Sequence, residues 1–344
     1  MYNMDKLFEA VAERGHVCVG LDTAAEYIPE KERRSSPAEA VLAYNKAIID
    51  ATIDVAACYK VQIAYYEEMG LPGLQAYAAT LAYIRGKGAL VIADIKRGDI
   101  ADTASRYARA HFEGSFEADF VTLTPYLGMD SIEPWLQWAD KKGKGAFVLM
   151  RTSNKGRQDF EELELKGGSP PLAPAAAASS ATPPPGGSAP KPPRRLYDAV
   201  GDKLSELAAG RLGRHGYGAF GAVVGADPQS PEERKEAAAI RAGRPNLFFL
   251  IPGYGAQGGA ASDAALLLRE GNGGVVNASR SILRAWQNSS ALQPSSAPQP
   301  SSAPQSLPAE ADNGLAARAA RQAAIEMRDA ILKAAGRPPV NSRS

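Results

Sequence analysis

The feature that most constrains the fold of this chain is a regular alternation of short apolar runs with amphipathic segments. The runs are built from small and branched side chains, which is typical of strands buried on both faces. The segments between them repeat apolar residues every three or four positions, as one face of a helix does. The strand-like runs span residues 17–21, 56–61, 89–95, 120–124, 146–150, 220–224, 247–251 and 274–277. The helix-like segments span residues 37–53, 73–85, 102–112, 132–141, 196–209, 231–242, 260–269 and 315–335.

Eight strands that alternate with eight helices predict an α/β protein with a closed (β/α)8 fold, a TIM barrel. The alternative is a doubly wound open sheet, which uses the same alternation. The chain has 344 residues, 45% of them hydrophobic, and a single barrel occupies about 250 residues or more. We therefore expect residues 1–344 to form one barrel domain.

Two segments interrupt this pattern. Residues 167–193 are rich in Ala, Pro, Ser and Gly, and residues 287–311 repeat a Pro-Ser-Ser-Ala-Pro-Gln theme. Neither segment carries enough apolar surface to offset the entropy lost on ordering, so both are predicted to be disordered insertions. They are either tolerated surface insertions or tethers for protein partners.

Charge, cysteines and histidines narrow the function classes. The formal net charge of +1 provides no basic surface for nucleic acid or an anionic membrane, and no apolar run is long enough to cross a bilayer. Cys18 and Cys58 lie in apolar runs, which favours buried thiols in a reducing compartment. His16, His111 and His215 show no metal-ligand spacing, so no metal site is expected. Because the N-terminus also lacks signal-peptide features, a cytoplasmic protein is expected.

The most distinctive stretch follows the third apolar run and reads D-x-K-x-x-D-I-x-x-T, with Asp94, Lys96, Asp99, Ile100 and Thr103 at its fixed positions. On an extended strand, side chains two residues apart point to the same face, so the first carboxylate and the lysine should lie together. A lone D-x-K would be read as a surface ion pair. The whole string directly after a buried strand predicts a functional site instead.

Other polar residues close neighbouring strands. Asp22 follows the first strand, Lys60 ends the second, and the Thr-Ser-Asn sequence that contains Ser153 follows the fifth. Active sites of (β/α)8 barrels lie at the C-terminal ends of the strands, where all of these residues are expected. Each alone would be an ordinary polar strand end, but together they indicate one site.

The last two strand ends have the composition of a phosphate site. The loop after the seventh strand, P-G-x-G-A-Q-G-G, contains Pro252, Gln257 and Gly258, and its glycines let backbone N–H groups approach an anion. The eighth strand is followed by Ser279 and Arg280, whose guanidinium can grip a phosphate. These two loops form the recurrent phosphate site of this fold, so the substrate is predicted to be a phosphate monoester. The alternative is a flexible glycine loop beside a surface arginine.

Taken together, the chain resembles the orotidine 5′-monophosphate decarboxylase family. The matching motifs are D-x-K-x-x-D-I-x-x-T, P-G-x-G-A-Q-G-G and the terminal Ser-Arg, and the Arg-Thr-Ser-Asn sequence is similar to a bacterial-type branch. Apart from the two insertions, the resemblance covers nearly the whole chain. It implies that Lys96 is the proton donor, that Asp94 lies beside the substrate carboxylate, and that Lys60 completes the charged network.

The resemblance also implies a homodimer with shared sites. Asp99, Ile100 and Thr103 would reach into the active site of the neighbouring subunit. Within one site, Asp22 would hold the ribose hydroxyls and Ser153 the pyrimidine ring. The phosphate would be held by Gln257 and Arg280.

The residues themselves bear on the mechanism. Decarboxylation leaves an electron pair on carbon and usually requires an electron sink, such as pyridoxal phosphate, thiamine diphosphate or a metal. A Schiff-base lysine needs a neutral amine, whereas carboxylates on both sides of Lys96 favour its ammonium form. We therefore expect Lys96 to protonate C6 of the pyrimidine and yield uridine 5′-monophosphate (UMP) with no cofactor.

Three alternatives remain at this point. A sugar-phosphate decarboxylase or hexulose-phosphate synthase shares the D-x-K-x-x-D string but needs a metal-binding carboxylate where Lys60 stands. A Schiff-base aldolase would be trapped by borohydride in the presence of its substrate. A non-catalytic nucleotide-binding scaffold is disfavoured, because every expected charged position is filled.

Overall fold

Eight parallel strands pair in chain order, and the last pairs with the first to close a barrel. The computed structural model describes residues 1–165, 194–255, 259–288 and 314–340. The predicted (β/α)8 barrel is confirmed, and the open sheet is wrong. The strands are β1 (Val17–Gly20), β2 (Cys58–Gln62), β3 (Leu90–Arg97), β4 (Phe120–Leu123), β5 (Gly145–Arg151), β6 (Phe220–Val224), β7 (Phe249–Ile251) and β8 (Gly274–Ala278).

The helices surround the barrel and include all eight predicted segments, with ends that differ by a few residues. Local signals explain several boundaries. For example, the Ser36 side chain accepts a hydrogen bond from the Glu39 N–H, and Pro37 occupies the first helical position. The helices are α1 (Asn3–Arg14), α2 (Pro37–Thr52), α3 (Ala64–Glu67), α4 (Gly70–Gly86), α5 (Ala101–Phe112), α6 (Glu133–Lys142), α7 (Leu196–Ala209), α8 (Pro231–Gly243), α9 (Ala261–Leu266), α10 (Arg280–Leu283) and α11 (Leu315–Ala334).

Helix α1 was not predicted, and it closes the N-terminal end of the barrel. Its residues Met4, Leu7 and Val11 are fully buried and belong to the same apolar cluster as the inward-facing residues of the strands. The backbone N–H of Asn3 donates to the carbonyl of Gly143, just before β5, at 2.7 Å. Because α1 fills this end, the C-terminal end of the barrel is the one available for a functional site.

The alternation of side chains along each strand places the charged residues inside the barrel. Cys58 and Ile92 lie in the interior cluster. Side chains two residues apart on a strand share a face, so Lys60 and Asp94 also point inward, one layer nearer the C-terminal rim. The residues at the alternate positions, such as Tyr59 and Val61 on β2, pack outward against the helices.

The predicted insertions fall largely outside the described residues. This is true of all of 167–193, and of 287–311 except Gln287 and Asn288, which close a 3-10 turn. The described residues that flank the first segment are paired. Glu164 and Arg195 form an antiparallel bridge, and the Leu165 N–H donates to the carbonyl of Arg194 at 2.8 Å. The chain therefore leaves and re-enters the barrel at one place.

Among the described helices, none combines the length and apolar character needed to cross a bilayer.

Candidate active site

A network of ion pairs lies at the C-terminal ends of β1, β2 and β3. The Nζ of Lys60 is 3.0 Å from Oδ1 of Asp22 and 2.8 Å from Oδ2 of Asp94. The Nζ of Lys96 is 2.7 Å from the other oxygen of Asp94, Oδ1. The side chains of Lys60 and Asp94 are buried, whereas 48% of the Lys96 side chain is exposed at the open end of the barrel. Two ammonium groups and two carboxylates thus balance in charge, and one ammonium is accessible to a substrate.

Burial and charge act in opposite directions on two of these groups. Burial by itself would lower the pKa of Lys60, but the Asp22 and Asp94 carboxylates outweigh it and raise that pKa. Burial would raise the pKa of Asp94, but the ammonium groups of Lys60 and Lys96 hold it well below its usual range. Both groups therefore remain charged throughout the neutral pH range.

A bulge in β3 brings Lys96 back to Asp94. In the pairing with β4, Ala93 lies opposite Val121 and Arg97 opposite Leu123, so three residues of β3 face a single residue of β4. Lys96 adopts a φ of 44°, a left-handed conformation that is uncommon for a residue with a side chain. The contact expected from an extended strand is therefore made by a bulge instead.

The residue opposite the bulge is Thr122, which the sequence analysis missed. Its Oγ1 donates to Oδ1 of Asp94 at 2.8 Å and accepts from the N–H groups of Ile95 and Lys96 at 2.9 and 3.0 Å. A threonine in a strand is too ordinary to attract attention in a sequence.

The second half of the D-x-K-x-x-D-I-x-x-T string makes no ion pair or side-chain hydrogen bond with this network in the described part of the chain. The Asp99 carboxylate accepts a hydrogen bond from the N–H of Ile100 at 2.8 Å, and it forms no ion pair with Lys96 among the residues that the structure describes. Ile100 precedes α5 and is 48% exposed, and Thr103 is exposed on the first turn of that helix. These three residues therefore do not join Asp94 and Lys96 within a single chain.

The β7 and β8 loops meet at the part of the mouth next to β1, with which β8 pairs. Pro252 is half-buried, and Gly253 and Gly255 have φ values of 102° and 70°, which favour glycine. A Cβ on Gly255 would lie 3.7 Å from Ser281, next to the exposed Arg280 at the start of α10. Gln257 and Gly258 lie outside the described residues. The described parts of the two loops thus come together as expected for an anion site.

Ser279 and Gly20 are in close contact where β8 meets β1. A Cβ on Gly20 would lie 2.0 Å from Oγ of Ser279, so only glycine leaves room for this hydroxyl. The Oγ atom is buried and has no hydrogen-bond partner in the described part of the chain.

Tyr65 was also missed by the sequence analysis. It lies on α3, directly after β2, and its phenol is close enough to Asp22 and Arg280 to interact electrostatically with both. The ion-pair network at the ends of β1–β3 and Arg280 after β8 therefore lie next to each other at the mouth of the barrel.

Ser153 lies in the loop after β5, beside the end of β6. A Cβ on Gly225 would be 3.0 Å from the Cα and Cβ of Ser153. The same loop is held by Arg157, a buried residue that sequence reasoning also missed. Its guanidinium contacts Glu162 at 2.6 Å and Asp227, which follows β6, at 3.0 Å.

Comparisons with known proteins agree with this geometry. Residues 15–293 match the model of the orotidine 5′-phosphate decarboxylase / HUMPS family. Over 332 residues the chain is 50% identical to an orotidine 5′-phosphate decarboxylase of Clostridium perfringens (strain SM101 / Type A), covering 96% of this chain and 98% of that protein. The structure of Leishmania donovani OMP decarboxylase is similar with a TM-score of 0.68 and 27% identity, covering 98% of this chain and 100% of that one. A putative orotidine 5′-phosphate decarboxylase from Streptomyces avermitilis has a TM-score of 0.69 and 27% identity, covering 96% and 95%. The chain therefore belongs to the orotidine 5′-phosphate decarboxylase / HUMPS family.

Proposed function

We propose that the protein is a carboxy-lyase that converts orotidine 5′-monophosphate (OMP) to UMP, the last step of UMP synthesis, without a cofactor. The observation that carries this proposal is the 2.7 Å contact between Lys96 Nζ and Asp94 Oδ1 at the open end of the barrel. The bond between C6 of the pyrimidine and its carboxylate breaks and releases carbon dioxide. The electron pair stays on C6, and the ammonium of Lys96 donates a proton to it.

The charged network supports this step because it is assembled before the substrate binds. Asp94 lies beside the substrate carboxylate and orients Lys96, while Lys60 holds Asp94 in place from the buried side. Negative charge that develops at C6 then meets an ammonium that needs no reorganisation. Enzymes lower barriers by roughly 8–23 kcal/mol, and a decarboxylation without an electron sink needs the upper part of that range.

Substrate binding is assigned to the rest of the rim. Asp22, whose side chain is 20% exposed, holds the ribose hydroxyls, and Ser153 holds the pyrimidine ring. The phosphate is bound by Arg280 with Ser279 and the loop that begins at Pro252, to which Gln257 and Gly258 belong. This anchoring of the distant phosphate supplies binding energy for the reaction at C6.

We also propose that two chains form a homodimer in which Asp99, Ile100 and Thr103 complete the partner's site. Exposed apolar side chains on the same rim support this, because exposed apolar surface often marks a site of contact with a partner protein. Ile100 is 48% exposed, and Tyr126 and Leu127, after β4, are 76% and 50% exposed.

Mixed dimers test this arrangement. A Lys96→Ala chain and an Asp99→Ala chain should each be inactive as homodimers. When they are mixed and allowed to exchange subunits, one complete site forms in every heterodimer, so random mixing restores about a quarter of the wild-type activity. A mixture as inactive as its parents would show that Asp99 acts within its own chain.

The reaction itself is tested by the loss of OMP absorbance with purified, EDTA-treated protein. Undiminished turnover after EDTA supports the reaction without a metal. Binding of OMP without release of carbon dioxide would indicate a nucleotide-binding scaffold. Turnover of a sugar phosphate that EDTA abolishes would indicate the metal-dependent lyase instead.

We further propose that the chain acts in the cytoplasm as one barrel domain, with neither nucleic acid nor a membrane as a partner. The support is that Cys18 and Cys58 are both free thiols in the interior of the barrel, as in proteins of reducing compartments. Cell fractionation followed by thiol titration of the unfolded protein tests this. Recovery of the activity in a membrane or secreted fraction would contradict it.

A further inference from the structure

Thr122 is the only residue of β4 that faces the bulge in β3. It is 1% exposed, and its hydroxyl is fully used, with one donated hydrogen bond and two accepted ones. The donated bond goes to Asp94 Oδ1, the same oxygen that contacts Lys96 Nζ. The Thr122 side chain thus forms hydrogen bonds both with the carboxylate of Asp94 and with the backbone N–H of Lys96.

These contacts matter because the bulge removes regular strand pairing. Between the pairs Ala93–Val121 and Arg97–Leu123, the N–H groups of Ile95 and Lys96 have the Thr122 hydroxyl as their acceptor. A left-handed backbone at Lys96 is unfavourable and persists only where its surroundings hold it. The hydroxyl supplies that restraint from the neighbouring strand.

We propose that Thr122 is a positioning residue that holds the Lys96 ammonium and the Asp94 carboxylate in the arrangement needed at C6. It does not touch the substrate and acts only through these two residues. The inference rests on the proposed role of Lys96. A displacement of about 1 Å at a reacting group can reduce a rate by about two orders of magnitude, so loss of this hydroxyl should affect kcat more than binding.

The test compares Thr122→Val, which keeps the shape but loses the hydroxyl, with Thr122→Ser, which keeps it. We expect Thr122→Val to lower kcat by about 30-fold or more while the Kd for UMP changes by less than about threefold. Thr122→Ser should keep kcat within about threefold of the wild type. Normal kcat in Thr122→Val, or a loss of UMP affinity as large as the loss of kcat, would overturn the proposal.

A matched control removes a buried hydroxyl far from the mouth. Thr52, at the end of α2, donates to the carbonyl of Ile48 at 2.7 Å and contacts Tyr59 Oη at 2.9 Å. Thr52→Val should lower the melting temperature but leave kcat unchanged. If Thr122→Val does not fold, Thr122→Ala is measured with the same expectations. If neither folds while Thr122→Ser is normal, the hydroxyl is structural and the proposal fails.

The proposed role of Lys96 can fail separately. In D2O, a lysine that protonates C6 also exchanges the C6 hydrogen of UMP, because the same proton transfer runs in reverse. Exchange that persists in Lys96→Ala refutes the proton donor and the inference built on it. If Lys96→Ala abolishes the exchange but Thr122→Val keeps it at the wild-type rate, only the inference about Thr122 is refuted.

Discussion

Lys60 and Asp94 form a diagonal ion pair between neighbouring strands, with 2.8 Å between Nζ and Oδ2. In the strand register Lys60 lies opposite Ile92, and Asp94 lies opposite Gln62, so the lysine reaches one layer toward the rim to meet the carboxylate. Both side chains are almost completely buried. A buried ion pair of this kind fixes the relative positions of its two side chains. It is costly to break, because the charge that remains has no water around it.

Replacing Lys60 should therefore destabilise the fold. We expect Lys60→Met to lower the free energy of unfolding by about 3–5 kcal/mol, because Asp22 and Asp94 then lose the ammonium between them. Urea unfolding at neutral pH measures the change. As a control, Lys203→Met removes an exposed ion pair with Glu206 and should cost at most about 1 kcal/mol. Equal effects of the two substitutions would contradict a buried network.

Replacing Lys96 should affect the reaction and leave the fold nearly unchanged. Because this ammonium is half-exposed, Lys96→Ala should melt near the wild-type temperature. We expect kcat to fall by about 10²–10⁴-fold or more, the range of general acid catalysis, while UMP still binds. Stopped-flow assays measure kcat, and calorimetry measures the melting temperature and the binding of UMP. Near-normal turnover would mean that another group delivers the proton.

Arg280 and Arg284 lie four residues apart on and just after α10, which makes them a matched pair. Arg280 forms no ion pair with any described residue, whereas the Arg284 guanidinium stacks on Tyr27 and its Nε donates to Gln287 at 2.8 Å. We expect Arg280→Ala to raise KM by about 10–150-fold, the effect of losing a hydrogen bond to a charged group. Arg284→Ala should leave KM within about twofold. Equal KM values for the two variants would place the phosphate elsewhere.

Two buried histidines should make the fold sensitive to acid. Burial lowers the pKa of His16 and of His111 to about 4. Since an unfolded histidine has a pKa of about 6.5, the unfolded chain binds more protons between these values, and stability falls as the pH drops through this window.

The part of the unfolding free energy that depends on each histidine staying neutral is fully present above pH ~6.5. About 2–3 kcal/mol of it is lost when the pH falls to ~4.5. In His111→Phe, urea unfolding should therefore show a smaller difference in stability between these two pH values than in the wild type. As a control, Phe147→Leu alters a buried ring that packs against Phe120, and it should keep the wild-type difference. An unchanged difference in His111→Phe would show that this histidine does not drive the acid sensitivity.

Much of this architecture could be predicted because barrel strands are short, apolar and regularly spaced. The strand-end position of Lys60 and Asp94 predicted their meeting at one rim. Helix α1 was missed although Met4, Leu7 and Val11 have helical spacing, because it precedes the first strand and the barrel pattern does not require it. Arg157 and Asp227 were missed for another reason: their pairing depends on how two loops, far apart in the chain, come to lie side by side.

The amino-acid sequence by itself determined which side chains stand at the strand ends, since alternation along a strand and the order of strands are local properties of the chain. Only the tertiary structure decided how those side chains meet. The register between β3 and β4 leaves three residues opposite Thr122, and this mismatch, together with closure of the barrel by β8 and β1, places Lys96 against Asp94 and Ser279 against Gly20. Register is set by the packing of the whole barrel, so no single segment of the chain encodes it.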